Sequence, residues 1–146
     1  MTKAMFVVLT ILTIFWLTIG RAFLGSMGWF MLIYIINGIP VISLACGVLI
    51  SLAPTEMSKK KRRSLNPTLS TLLYVMFAAA FLHGFFLVDF GDTEDSTVSA
   101  AATLFGRSFL DVSSYLSLVF LLLTFGLYIT AFAYAIHLRT RQRKNK

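Results

Sequence analysis

The chain contains four stretches that are almost free of charge, and each has the length that a helix needs to cross a bilayer. A bilayer core of about 30 Å is crossed by roughly 20 helical residues, because an α-helix rises about 1.5 Å per residue. The sequence therefore predicts an all-α integral membrane protein, built as an antiparallel bundle of four transmembrane helices. The predicted spans run from about Met5 to Leu24, from Trp29 to Ala53, from Thr68 to Phe90 and from Val112 to His137.

The composition agrees with this prediction. Hydrophobic residues make up 58% of the 146 residues and charged residues only 13%, whereas an ordinary soluble domain carries about 25% charged residues. A chain this short buries only about 70% of its unfolded surface, so many of these apolar side chains must contact lipid or another protein. We expect a single membrane domain over residues 1–146.

The basic residues are distributed unevenly among the connecting segments, and this asymmetry predicts the orientation. Lys and Arg beside a span resist translocation, so they remain in the cytoplasm. Only Arg21 and Arg107 fall on the opposite side, together with five of the six acidic residues. Both termini are therefore expected in the cytoplasm, and the absence of an Asn-x-Ser/Thr acceptor fits a bacterial cell membrane. The residues on the basic side are Lys3, Lys59, Lys60, Lys61, Arg62, Arg63, Arg139, Arg141, Arg143, Lys144 and Lys146.

The connecting segments carry turn and cap signals. The sequence Gly25–Gly28 predicts a tight outer turn between the first two helices, and Pro67 suits the first turn of the third helix. The outer segment 91–111 begins polar and acidic and then becomes apolar with helical spacing. We expect a short amphipathic helix there, capped by Asp95 or Ser96 and lying on the membrane surface.

The middle loop contains five consecutive basic residues, Lys59, Lys60, Lys61, Arg62 and Arg63. Each basic residue beside a membrane gains about 1 kcal/mol from anionic lipid. A nucleic-acid site would need aromatic residues or a folded basic surface beside the charges, and the loop has neither. The predicted partners of this loop are therefore the anionic headgroups of the cytoplasmic face, and no nucleic-acid partner is expected.

Five polar or charged residues lie in or beside the outer halves of the predicted spans: Arg21, Asn37, His83, Asp89 and Asp111. Ionisable groups are unfavourable in a bilayer unless they face a bundle interior or a water-filled cavity. In one interpretation they form an outward-facing pocket, in which His83 titrates near neutral pH and an aspartate orients it or pairs with Arg21. In the other, which we favour, Asn37 and His83 hydrogen-bond between helices while the charged groups are solvated at the interface.

Small residues spaced four apart mark faces on which helices can approach closely. Ser43, Gly47 and Ser51 form such a face on the second predicted span. Ala80 and Gly84 form a second one on the third span. Both faces predict close contact between helix backbones.

The middle of the second span carries two residues that weaken a helix. Gly38 and Pro40 predict a kink beside Asn37, because proline lacks a backbone N–H and clashes with the preceding turn. Such kinks mark sites in some transporters and are also common in ordinary bundles. The nearby aromatic residues Trp29 and Tyr34 are interpreted as interface anchors and packing groups.

Residue patterns typical of catalysis are missing from the sequence. It has no nucleophile elbow, zinc-protease motif, phosphate loop or Cys-x-x-Cys pair. Cys46 is the single cysteine, and His83 and His137 are predicted at opposite membrane faces. No metal or cofactor site and no enzymatic activity are therefore expected.

Three functional hypotheses remain open. The first, which we favour, is a non-catalytic accessory or assembly subunit of a larger respiratory or envelope-building complex, held by other integral membrane subunits. The alternative is a small homo-oligomeric transporter or channel with an outward-facing vestibule lined by Asn37, His83 and Asp89. The third is a membrane enzyme or lipid-handling protein in which the acidic loop residues Asp92, Glu94 and Asp95 bind a cation or a headgroup.

Overall fold

The computed structural model describes residues 1–26, 28–57, 63–90 and 97–144, and most of them are helical. A 3-10 turn, Gly20–Leu24, follows the first helix, and another, Arg107–Phe109, precedes the last. Two short strands, β1 (Thr55–Met57) and β2 (Arg63–Leu65), pair antiparallel with Thr55 opposite Leu65. The helices are α1 (Lys3–Thr18), α2 (Trp29–Leu52), α3 (Pro67–Phe86), α4 (Ala100–Phe105) and α5 (Leu110–Lys144).

Among the described residues, three helical segments are long and apolar enough to cross a membrane: Trp29–Leu52, Pro67–Phe86 and Arg107–Lys144. This agrees with the prediction of a largely helical membrane protein. The first predicted span differs, because α1 has 16 residues and ends at Thr18, and the chain continues as the 3-10 turn. The β1–β2 hairpin was not predicted from the sequence.

The helix boundaries follow from local caps. Asn66 accepts a hydrogen bond from the backbone N–H of Thr68 at 3.0 Å, so α3 begins at Pro67 as expected. The third span was predicted to reach Phe90, but α3 ends at Phe86 because Leu87 adopts an extended conformation. The extended chain then lets Asp89 pair with Val98 as an antiparallel bridge.

The short helix α4 forms within the outer segment where an amphipathic helix was predicted, but its cap differs. Ser99 is the N-cap and accepts a hydrogen bond from the backbone N–H of Ala102 at 2.9 Å. Asp95 and Ser96, the predicted caps, lie outside the described residues, and Val98 is engaged with Asp89. Ala100–Ala102 are buried, whereas Leu104 and Phe105 are exposed, so the first half of the helix is buried and its end is exposed.

Contacts at the end of the molecule that holds the β1–β2 hairpin show how the helices are arranged. The Nζ of Lys3 donates to the carbonyl of Ile50 at 2.8 Å, which places the start of α1 beside the end of α2. The backbone N–H of Leu65 donates to the carbonyl of Met1 at 2.9 Å. The start of α1 therefore also lies beside the chain entering α3.

Helix α3 lies in the centre of the molecule. Half of the residues in its most apolar window are buried, against 11% in the corresponding windows of α2 and α5. It contributes more side chains than any other helix to one apolar core that it forms with α1, α2 and α5. That core includes Phe6, Cys46, Leu49, Leu69, Leu73, Met76, Phe77, Ala131 and Ala135. The two longest helices therefore leave broad apolar faces uncovered within one chain.

The two predicted small-residue faces have different outcomes. A Cβ on Gly84 would lie 2.8 Å from the side chains of Leu17 and Trp16, so glycine permits the close approach of α1 and α3. That predicted contact is confirmed. A Cβ on Gly47 would meet nothing within 4 Å, and Ser43 and Ser51 are exposed. The face on α2 is therefore not used for packing in the described part of the chain.

Candidate functional site

A buried ion pair joins the 3-10 turn after α1 to the extended segment after α3. The Nη2 of Arg21 lies 2.8 Å from the Oδ2 of Asp89, and both side chains are fully buried. The Nη1 of Arg21 is 3.4 Å from the carbonyl oxygen of Leu87, to which it donates. The other carboxylate oxygen, Oδ1, accepts from the backbone N–H groups of Phe30 at 2.8 Å and Phe90 at 3.1 Å. We call this group the ion-pair site.

The position of the carboxylate at the start of α2 is favourable. Phe30 is the second residue of that helix, and the N–H groups of a first turn have no helical acceptor. A negative charge there also interacts favourably with the helix dipole. Gly28 permits this approach, because a Cβ at that position would lie only 2.5 Å from the Oδ1 of Asp89.

The chain turns sharply just after Arg21. Gly25 ends the 3-10 turn with φ +75°, a left-handed conformation that favours glycine. Among the described residues, two fully buried polar atoms in this region have no hydrogen-bond partner, namely Nε of Arg21 and Oγ of Ser26. Arg21 therefore donates hydrogen bonds through Nη1 and Nη2 but not through Nε.

A second buried network connects α2, α3 and α5 through His83. The hydroxyl of Tyr34 lies 2.6 Å from the Nε2 of His83, and the Nδ1 lies 3.0 Å from both the carbonyl oxygen and the Oγ of Ser117. A carbonyl only accepts, so Nδ1 carries the hydrogen and Nε2 accepts from Tyr34. We call this group the histidine chain, and His83 is only 4% exposed in it.

Local distortion of α2 brings Tyr34 to His83. Residues Tyr34–Gly38 form a π-helical turn, and the regular helix resumes at Ile39 with Pro40 in its first turn. A Cβ on Gly38 would lie 2.6 Å from Cδ1 of Tyr34, so the glycine makes room for the ring. The irregularity predicted at Gly38 and Pro40 thus takes the form of a π turn, which rotates side chains relative to a regular helix.

The structure separates the five polar residues singled out in the sequence. Arg21 and Asp89 form the ion pair, and His83 belongs to the histidine chain. Asn37 is exposed on α2 and makes no hydrogen bond within the described residues, and Asp111 is exposed in the first turn of α5. The five therefore do not line one common pocket. The favoured interpretation is confirmed for His83, which hydrogen-bonds between helices, but it is wrong for Arg21 and Asp89, because both are buried in an ion pair and not solvated. It is also wrong for Asn37 within the described residues.

Two members of the histidine chain were not recognised as site residues from the sequence. Tyr34 was interpreted as an interface anchor, because an aromatic residue near the end of a span is usually that. Ser117 is not among the residues singled out from the sequence, although Ser113 and Ser117 are spaced four apart on an apolar helix and are 0% and 5% exposed. The Oγ of Ser113 also accepts from that of Ser99 at 3.1 Å. The four-residue spacing of Ser113 and Ser117 is the sequence signal that could have identified Ser117.

The predicted lipid-contact residues are largely beyond what the structure describes. Lys59, Lys60, Lys61 and Arg62 lie outside the described residues, and so do Asp92, Glu94 and Asp95. Arg63 begins strand β2. The two paired strands lie at one end of the molecule, beside the start of α1, with Met57 opposite Arg63.

Neither of two surface cavities is lined by the ion-pair site or by His83. One is an apolar groove of about 420 Å³ between α1 and α3, lined by Leu12, Trp16 and Phe81 among others. The other has about 250 Å³ and is lined by residues of the segment 97–110. Among the described residues, no group of three or more His, Cys, Asp or Glu side chains is placed to hold a metal ion.

Comparisons of this chain with models of protein families, with characterised proteins and with solved structures each gave no significant match.

Proposed function

We propose that this chain is a four-span membrane protein with both termini in the cytoplasm, and that it is a non-catalytic accessory or assembly subunit of a larger membrane complex. The observation that supports this most is how its buried polar groups are used. The ion-pair site and the histidine chain connect the four apolar segments to one another. The apolar faces of α2 and α5 remain available for other subunits or lipid.

Four spans are supported by the length of the first segment. The 16 residues of α1 rise about 24 Å, and the five residues of the following 3-10 turn add about 10 Å. Together they match a bilayer core of about 30 Å. The charge of Arg21 at the end of this segment is neutralised by Asp89, so it does not prevent burial near lipid.

The orientation is supported by the long last helix. The 35 residues of α5 rise about 52 Å, which exceeds the bilayer core by about 20 Å. Its last turns hold Arg139, Arg141, Arg143 and Lys144, all exposed. By the positive-inside rule this end lies in the cytoplasm, where the helix presents a basic surface to anionic headgroups or an acidic partner. The basic run Lys59–Arg63 is proposed to contact the same headgroups.

The transporter alternative receives less support from the geometry. A vestibule residue must reach water or a substrate, but both ring nitrogens of His83 already have partners within the protein. Likewise, both carboxylate oxygens of Asp89 are occupied. Groups held in this way fix the relative positions of helices, which suits a subunit that assembles with others.

Extraction in a mild detergent tests the subunit role. We expect the tagged chain to be recovered with other integral membrane proteins in a fixed ratio, identified by mass spectrometry. Recovery of the chain alone, together with unchanged membrane activities after its deletion, would count against this role. Flux that depends on pH in liposomes containing the pure protein, and that is lost on His83→Ala, would favour the transporter.

Thiol labelling tests the orientation separately. Ser108 and Thr140 are both exposed and lie near opposite ends of the last span, so they form a matched pair. In a Cys46→Ala background, a membrane-impermeant reagent added to intact cells should label Ser108→Cys and leave Thr140→Cys unlabelled. Labelling of Thr140→Cys from outside would reverse the proposed orientation.

A further inference from the structure

Asn37 is a polar side chain on the apolar surface of a helix that is long enough to cross a membrane. It is exposed and makes no hydrogen bond within the described residues. Its surroundings on the surface of α2 are apolar, with Ile36 68% exposed and Val41 65% exposed. In hydrocarbon an amide without a partner is strongly unfavourable, and no water is present to replace one. Asn37 therefore needs a partner from outside its own chain.

The same surface of α2 permits another helix to approach closely. Leu44, Gly47 and Ser51 follow one another at intervals of three and four residues in the regular part of α2, which places them on one side of the helix. Asn37 lies in the π turn that immediately precedes this regular part. All four are exposed, Leu44 to 71%, and a Cβ on Gly47 would meet nothing within 4 Å. Small residues in this arrangement let two helix backbones come together. We call this surface the Asn37 face.

We propose that the Asn37 face binds the same face of a second copy of this chain, forming a two-fold symmetric dimer in the membrane. Two copies inserted with the same orientation hold Asn37 at the same depth. An amide group both donates and accepts, so two symmetry-related Asn37 side chains satisfy each other. A different partner would need its own polar group at that depth, whereas a second copy supplies it by symmetry.

The dimer is independent of the subunit role proposed above, since other subunits can bind the remaining apolar faces. It is tested by energy transfer between donor-labelled and acceptor-labelled chains, at decreasing protein-to-lipid ratios in liposomes. We expect Asn37→Leu and Gly47→Leu each to weaken dimerisation about tenfold. Asn37→Gln, which keeps an amide, should retain most of it. Gly126→Leu is the matched control, because Gly126 of α5 also faces open space.

Disulfide formation locates the interface directly. In a Cys46→Ala background, Leu44→Cys should cross-link two chains, while Leu122→Cys, which is 63% exposed on α5, should not. The proposal is overturned if energy transfer is absent, if it is insensitive to Asn37→Leu and Gly47→Leu, or if Leu44→Cys cross-links only to a different protein. If the unaltered chain forms no dimer while other subunits still co-purify with it, this inference is overturned and the subunit role remains intact.

Discussion

Arg21 and Asp89 are 68 residues apart in the sequence, yet their side chains meet at 2.8 Å in a fully buried ion pair. The carboxylate also accepts from the backbone N–H groups of Phe30 and Phe90. One side chain therefore connects the turn after α1, the start of α2 and the segment after α3. The two partners are not equivalent, because Asp89 has three donors whereas Arg21 has one charged acceptor and one carbonyl.

This asymmetry predicts that Asp89→Ala is more destabilising than Arg21→Met. Removing Asp89 leaves a buried guanidinium and two N–H groups without acceptors, so we expect the free energy of unfolding to fall by about 5 kcal/mol. Removing Arg21 leaves a carboxylate that is still held by two N–H groups at a helix start, so we expect about 3 kcal/mol. Unfolding in mixed detergent micelles, followed by circular dichroism, measures both values.

A double-mutant cycle separates the pair from its surroundings. Arg21→Met combined with Asp89→Ala should be less destabilising than the sum of the two single changes, because neither charge is left unpaired. Additive effects would mean that the two side chains do not interact in the membrane.

Gly38 supports the histidine chain by making room for Tyr34. This predicts that Gly38→Ala destabilises the protein, whereas Gly→Ala inside a helix usually stabilises it. Gly→Ala inside a helix normally stabilises it by about 1 kcal/mol. Gly126→Ala should behave in this way, because a Cβ there meets nothing within 4 Å. Gly38→Ala should instead lower the free energy of unfolding by about 1–3 kcal/mol, since its Cβ would lie 2.6 Å from the Tyr34 ring. Thermal unfolding in detergent compares the two variants.

The Tyr34 ring provides the control for that comparison. In a Tyr34→Ala background the obstacle is gone, so Gly38→Ala should become neutral or stabilising. Tyr34→Phe removes only the hydroxyl that donates to His83, and should lose about 1 kcal/mol. If Gly38→Ala is as favourable as Gly126→Ala in the intact chain, the proposed role of Gly38 is wrong.

Helix formation in this chain was readable from the sequence because the apolar runs are long and proline and asparagine mark their ends. Pro67 begins α3 where the cap pattern predicted it. The end of α3 was misjudged because Leu87–Phe90 is as apolar as the helix before it. Hydropathy does not distinguish a helical residue from an extended one. The chain leaves the helix there to bring the Asp89 carboxylate to α2, which is a tertiary effect.

The candidate site was predicted only in part for a related reason. Arg21, His83 and Asp89 were identifiable because charged and ionisable groups are rare in apolar spans. Tyr34 and Ser117 were not, because tyrosine and serine are ordinary residues in membrane helices. Their role depends on the π turn of Tyr34–Gly38 and on which faces of α2 and α5 meet α3. Sequence spacing within one helix does not contain that information.

The partners of His83 predict which ring nitrogen carries its hydrogen. Nδ1 faces the carbonyl of Ser117, and Nε2 faces the Tyr34 hydroxyl. We expect ¹⁵N solid-state NMR of the protein in lipid to show the tautomer protonated at Nδ1. His137, on the last helix, provides a second histidine signal, and His83→Gln identifies which signal is which. A spectrum with His83 protonated only at Nε2 would contradict the hydrogen-bond assignment.

Gly84 predicts how closely α1 and α3 must approach. A Cβ there would lie 2.8 Å from the Nε1 of Trp16, which donates to the carbonyl of Phe81 at 2.9 Å while its ring stacks on the Phe81 ring. Gly84→Ala should therefore displace the indole and destabilise the protein by about 1–3 kcal/mol. In a Trp29→Phe background, the fluorescence of Trp16 should become more accessible to a quencher dissolved in lipid.

Combining Gly84→Ala with Trp16→Phe should recover part of the lost stability, because the smaller ring leaves space for the methyl group. A Gly84→Ala protein as stable as the Gly126→Ala control would show that the two helices do not pack this closely.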